Sequence, residues 1–467
     1  MTSSSGYQIK RTLVVINTKK YSLGWLIPLI FLAGQLIICA TTDIFDVSYV
    51  LLTAVLVIVS VCLIRRLGRF NAVNFPLWVM LIIIFITYFI QFYWILLDPQ
   101  ITANRWFANL HWLAYSPEVR FNSFLTAALG FISFSITAYI ITSKTIHLPK
   151  TTSNIKINYL YAVSILTWLI VVLIAVTSYI MYSTGIGRMG AETVTLSFRL
   201  GGWILYTRTT LILGLILLLI WCSDKGGLKR YFTVGLVLLL IHGISESLLT
   251  TSRGFILTLI LDVIFLLILT GRLSRHRLGL AAAAAAITLM LWPLVSSYRS
   301  TREIDYKVPI TTSLHEAVES LYTGPSTYFE ESVNDLQSIF FRTGMRSLFP
   351  IMGSDPEPFG MKVFETKITD FYTNDVVGYS PEHHTSSAPS LFGWLYLLGG
   401  NIAVVIGISL LTVILWFFWL YLSRIKLVSL PVSQALFLGF ILGISIEGTL
   451  DGIWLRLLVL AGSIAAC

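Results

Sequence analysis

The sequence predicts an all-α polytopic membrane protein of about twelve transmembrane helices, with one large, partly helical extracytoplasmic loop late in the chain. Three observations predict it. Of 467 residues, 56% are hydrophobic and 12% charged, whereas soluble domains carry roughly 25% charged residues. The apolar residues fall in runs of about twenty, long enough to cross a hydrocarbon core of about 30 Å. Basic residues collect in every second connection between those runs.

The runs place spans near 23–41, 47–64, 76–97, 121–142, 159–182, 201–222, 231–249, 254–270, 278–296, 391–422, 432–450 and 453–467. The last is short for a span. Residues Met1 to Lys20 are polar and basic. The first run, from Leu23, lacks a small-residue cleavage pattern, so it is expected to stay as a helix. Three regions follow: residues 1–296 with nine helices, the long segment 297–389, and residues 390–467 with three more.

One set of connections holds Lys19 and Lys20, then Arg65, Arg66 and Arg69, then Lys144, Lys150 and Lys156. It continues through Lys225, Lys229 and Arg230, then Arg272, Arg275 and Arg277, and ends with Arg424 and Lys426. The positive-inside bias makes that side cytoplasmic, with both termini on it, and the expected location is a bacterial inner membrane. The net charge of +9 is thereby a topology signal and argues against nucleic acid. The four cysteines have no CxxC partner and no histidine at ligand spacing, so neither a disulfide nor a metal site is expected.

The opposite side carries the candidates for chemistry. Segment 297–389, roughly ninety residues, is too long for a connector. It reads as short helices between turns. Ser313 and Glu316 form a capping box. Phe329, Val333, Leu336 and Phe340 make one helical stripe, and Phe364, Ile368 and Phe371 a weaker one. Pro350, Pro356 and Pro358 mark a turn.

Arg253 lies in a turn between two apolar runs on the side poor in basic residues, followed by Gly254. A guanidinium there suits a phosphate or diphosphate, or else snorkels to headgroups. Arg342 and Arg346, at i,i+4, share a helix face if the helix persists past Gly344. They clamp a diphosphate or form a solvated face paired with Glu330, Glu331 or Asp335. Arg299 and Arg302 bind a diphosphate or anchor to headgroups. His383 and His384 precede a helix starting near Pro389, Ser390 and Leu391, whose free N–H groups would face an anion. The histidines are titratable partners or exposed loop residues. Glu447, Asp451 and Arg456 crowd the last hairpin as a structural charge network or a ligand contact.

Three of these segments carry a family likeness. Ser252-Arg253-Gly254, the run from His383 through Pro389 to Gly393 with Gly399-Gly400 after it, and Glu447, Asp451 and Arg456 together resemble the Wzy-type polymerases of O-antigen and related surface polysaccharides. The single long outside loop late in the chain is similar too. The resemblance implies a GT-C-like fold and a cofactor-free glycosyltransferase. Donor and acceptor would be oligosaccharides on undecaprenyl diphosphate, with membrane lipids and a chain-length regulator as further partners. It implies that Arg253, Arg342, Arg346, Arg299 and Arg456 bind diphosphate and that Glu382, His383 or His384 takes the hydroxyl proton.

An O-antigen ligase shares the architecture. A lipid-linked oligosaccharide flippase or transporter is disfavoured, since no internal repeat is found and charges at mid-span look scarce. Asp262 is the exception, expected toward the inner side.

Overall fold

The computed structural model describes residues 23–41, 47–68, 73–97, 116–142, 158–184, 186, 200–250, 254–271, 344–354, 368–377, 389–424 and 430–447, with a few single positions between 279 and 324. Among them all regular structure is helical. A 3-10 turn, Leu23–Trp25, leads into α1 (Leu26–Thr41). Then come α2 (Val47–Leu67), α3 (Phe75–Leu97), α4 (Pro117–Ile141), α5 (Tyr159–Thr184), α6 (Leu200–Lys225) and α7 (Lys229–Thr250). They are followed by α8 (Gly254–Leu269), the short α9 (Met345–Ser354) and α10 (Ile368–Phe371), then α11 (Leu391–Arg424) and α12 (Leu430–Glu447).

Seven of these, α2 to α7 and α11, are long and apolar enough to cross a membrane, and α1, α8 and α12 are shorter apolar helices. Ten of the twelve expected spans thus appear as helices. Those expected over 278–296 and 453–467 fall almost wholly outside the described residues. The outer surface of the bundle is itself apolar: Leu36, Trp168, Tyr179 and Ile402 are 70–74% exposed. Such a surface is stable in hydrocarbon, where lipid tails are as apolar as leucine.

Helix starts follow local chemistry. Ser116 caps α4, accepting the Val119 N–H at 3.3 Å, with Pro117 in the first turn. Proline has no N–H to lose there, and its fixed φ suits a helix. Arg65 and Arg66 close α2, Lys225 closes α6, Lys229 and Arg230 open α7, and Arg424 closes α11. Arg65 lies over the Trp25 ring at 6.0 Å and Arg66 over Tyr139 at 5.6 Å, so the start of α1 and the ends of α2 and α4 share one end of the bundle. This is the basic end, and the other is the far end.

Helices α1 to α4 and α11 pack together, as do α5 to α8 with α12, and α12 also contacts α3 and α11. Phe31 of α1 fits edge-on against Phe85, Phe89 and Phe131, at 5.1, 4.9 and 5.4 Å between centroids. Edge-to-face pairs of this kind add roughly 0.5–1.5 kcal/mol each beyond area burial. Between α4 and α11 runs a line of hydroxyl bonds. Thr126 donates to Asn401 at 2.7 Å, Ser133 donates to the Val405 carbonyl at 2.6 Å, and Thr137 donates to Ser409 at 3.1 Å. Hydroxyls and small residues let helices approach closely where no hydrophobic force drives them together.

Two elements depart from expectation. Pro350 sits inside α9 rather than in a turn. It removes the single bond to the Arg346 carbonyl, a modest loss in a short helix whose residues Met345 to Ile351 are all buried. The span expected over 391–422 is broken at Gly399 and Gly400. Gly400 has φ 65° and ψ −157°, a region essentially open to glycine alone. Past this break the chain doubles back. The Leu395 side chain lies against Gly407 so closely that a β-carbon there would overlap it. In an unbroken helix these residues would stand about 18 Å apart along the axis. Residues 391–398 therefore form a re-entrant helix folded onto the start of 401–424.

Candidate functional site

Re-entrant helices buried beside α3

Helix α3 contains a π-helical stretch, Phe85–Ile90. Such bulges turn side chains out of register and recur at functional sites. Here Thr87 and Tyr88 are carried into the interior. Gly344, at φ 81°, presses on the Thr87 carbonyl and Gln91, where a β-carbon would not fit. The Met345 N–H donates to Gln91 Oε1 at 3.1 Å. On the second re-entrant piece the Phe392 N–H donates to Tyr88 Oη at 2.9 Å, and the two rings stack at 4.0 Å. Ser347 Oγ donates to the Pro389 carbonyl at 2.8 Å, tying the first turn of α9 to the residues entering 391–398. Tyr88 lies nine residues before the far end of α3, about 13 Å along the axis. Non-helical backbone is tolerated at such depth when protein groups satisfy it, and Gln91, Tyr88 and Ser347 do so here.

Above this junction, residues 368–376 close over the two pieces. Ile368 and Tyr372 join Ile351 and Leu397 in a small core of their own. The long segment thus returns to the bundle at the far end and partly within it.

Arg346 is the one diphosphate candidate whose surroundings are described. It stands in the first turn of α9 and is 4% exposed. Two expectations are corrected. The helix begins at Met345, after a glycine in the left-handed region, so no continuous helix carries Arg342 and Arg346 on one face. Nor does Arg346 belong to a solvated face. The N-terminus near Leu391 was also expected to offer free N–H groups outward. Pro389, Ser390 and Leu391 are buried, and the Phe392 N–H is already given to Tyr88. Arg253, Arg342, Arg299, Arg302, Arg456, Glu382, His383, His384 and Asp451 lie outside the described residues. Glu447 ends α12, but its side chain is not among those described.

A second polar centre was missed by sequence reasoning. Arg208, in the π-helical stretch Thr207–Ile212 of α6, is fully buried and forms an ion pair with Glu246 of α7. Its remaining nitrogens donate to Thr177 at 3.0 Å, Ser178 at 2.7 Å and Ser245 at 2.8 Å. His242 Nε2 lies 2.9 Å from the Arg208 carbonyl. Charges inside the spans are therefore not scarce. The signal was present: one cation and one anion, each inside an apolar run, in consecutive spans. Asp262 stands at the centre of α8 rather than toward one side, and is 1% exposed.

The chain matches no protein-family model, no curated protein and no solved structure.

Proposed function

We propose that this protein polymerises polyprenyl-diphosphate-linked oligosaccharide repeat units by glycosyl transfer at the outer face of a bacterial inner membrane, with both termini cytoplasmic. The observation that carries the reading is Arg346, a residue of the long segment 297–389 whose guanidinium is buried in the first turn of a helix sunk into the bundle. A lipid-linked donor needs its leaving group met at the membrane edge, between helices and loop. A guanidinium fork with the partial positive charge of a helix N-terminus suits a departing diphosphate. In this reading the acceptor's sugar hydroxyl oxygen bonds to the donor's anomeric carbon. The bond to the diphosphate breaks, its electron pair leaves with the phosphate oxygen, and Glu382, His383 or His384 takes the hydroxyl proton. Arg253, Arg342, Arg299 and Arg456 are proposed as further diphosphate contacts, with Glu447 and Asp451 as their charge network and a chain-length regulator as a partner.

The test is the surface polysaccharide of a deletion strain, resolved on a gel. Loss of a polymerase leaves lipid core carrying a single repeat unit and no ladder. Loss of an O-antigen ligase, the nearest alternative, leaves bare core while lipid-linked polymer accumulates. That outcome would replace the present reading. Arg253→Ala should also abolish the ladder at normal protein level, whereas Arg188→Ala should not.

A flippase or transporter is a second reading, favoured by the helix broken at Gly399-Gly400 and by the buried charges of α6 to α8. Transporters place broken helices at matching positions in two repeats. Both re-entrant pieces here belong to the last third of the chain, which favours transfer chemistry. Repeat units trapped on the cytoplasmic side of the deletion strain would reverse that preference.

A further inference from the structure

Asp262 takes no part in the chemistry above. It is the ninth of sixteen residues of α8 and packs against Gly439, the tenth of eighteen residues of α12. Both helix centres meet there. The carboxyl fills the space a side chain at 439 would occupy, and a β-carbon on Gly439 would overlap it. Asp262 is 1% exposed, and its Oδ1 has no hydrogen-bond partner. Among the described residues no ion pair reaches it; the ion pair formed there is Arg208–Glu246.

Among the described residues α8 packs chiefly on α6, α7 and α12, and Phe75 at the start of α3, a helix without charged residues, meets Phe265. The mid-span ionisable groups of these helices, Arg208, His242 and Glu246, engage one another. Asp224, Lys225, Lys229 and Arg230 stand at the basic end, and Glu447 ends α12 at the other. A metal ion would need several oxygen ligands around it, and here one carboxyl faces a glycine notch. An ionised carboxylate without partners is not stable in such a place, whereas a neutral acid is.

We propose that Asp262 is a proton-binding site at mid-membrane. The closed α8–α12 contact holds the neutral acid. When water enters that seam the carboxyl gives its proton to a water molecule, forming hydronium, and reprotonation from hydronium restores the contact. The site does not depend on whether the protein polymerises or transports glycans.

Infrared difference spectroscopy of the full chain in proteoliposomes, with aspartate carboxyls labelled by carbon-13, tests this without any variant. A protonated-carboxyl C=O band carrying the isotope shift is expected at acid pH, declining reversibly as pH is raised and absent from Asp262→Asn. Gly439→Ala should shift or split the band by displacing the acid. A band unchanged at every pH would mark a permanently neutral structural acid, and no such band at any pH would mark a permanent carboxylate. Either result overturns the proposal. Should Asp262→Asn fail to fold, the isotope shift and the response of the band to Gly439→Ala in folded protein make the assignment instead.

Discussion

Replacing Glu246 by Met should destabilise the bundle severely, and replacing its partner as well should largely undo the damage. The single change leaves a fully buried guanidinium with no counter-charge. Breaking a buried ion pair from one side costs about 3–5 kcal/mol. Arg208 would keep its bonds to Thr177, Ser178 and Ser245, at 3.0, 2.7 and 2.8 Å, which puts the expected loss near the lower bound, about 3 kcal/mol. In Arg208→Met with Glu246→Met both charges are gone. The hydroxyls are not stranded, because Thr177 also donates to the Leu173 carbonyl, Ser245 to the His242 carbonyl, and Ser178 is only half-buried. Isosteric apolar replacement of a buried pair is often neutral or stabilising, so the double variant should lie within about 1 kcal/mol of wild type. Denaturant titration in detergent, read by tryptophan fluorescence, gives both values if the slope is unchanged. A single variant losing under about 1 kcal/mol, or a double variant as unstable as the single one, would refute the claim that an uncompensated charge sets the cost.

Tyr88→Phe removes the phenol oxygen that accepts from the Phe392 N–H and that Ser390 and Leu391 also approach, so it should cost about 1–3 kcal/mol with no change in packing volume, measured by the same titration. Gly400→Ala forces a β-carbon into a region of backbone space reserved for glycine. It should cost about 1–3 kcal/mol and raise the protease sensitivity of the neighbouring chain. Arg346→Gln should abolish the polysaccharide ladder at normal protein level, and Arg346→Lys, which keeps charge but not the fork, should leave a shortened one. A full-length ladder from Arg346→Gln would remove this residue from the diphosphate site.

The spans were legible because hydrocarbon makes one simple demand, repeated along each helix: sustained apolar character over the thickness of the membrane. The basic ends were legible for the same reason, since Arg65, Arg66, Lys225 and Arg424 stop the apolar runs where they end. What hydropathy cannot register is direction. Residues 391–398 are as apolar as those after Gly400, so a hairpin and a single span score alike. Only the paired glycines hinted at the reversal. Helix α9 was illegible for a different reason. Its ten residues contain an arginine and a proline, and its burial comes from packing on α4, α11 and α3, which no local pattern can announce. Arg208 and Glu246 were readable but unread, being hidden in the average of otherwise apolar windows. Of the candidate site, the structure places Arg346 in a buried first turn, while the histidines and most arginines fall in segments it does not describe.

The bonds that seat the two re-entrant pieces join parts of the chain made far apart in time. Gln91 and Met345 are separated by 254 residues, and Tyr88 and Phe392 by 304. At roughly 5–20 residues per second, the ribosome takes on the order of 15–60 s to supply those partners. Throughout that interval a nascent chain holds an amide oxygen and a phenol oxygen inside the bundle with these backbone donors still unsynthesised. Packing of the bundle therefore finishes late: the early helices are made first, and the pieces 344–354 and 391–398 afterwards fill the gap beside α3 and α4.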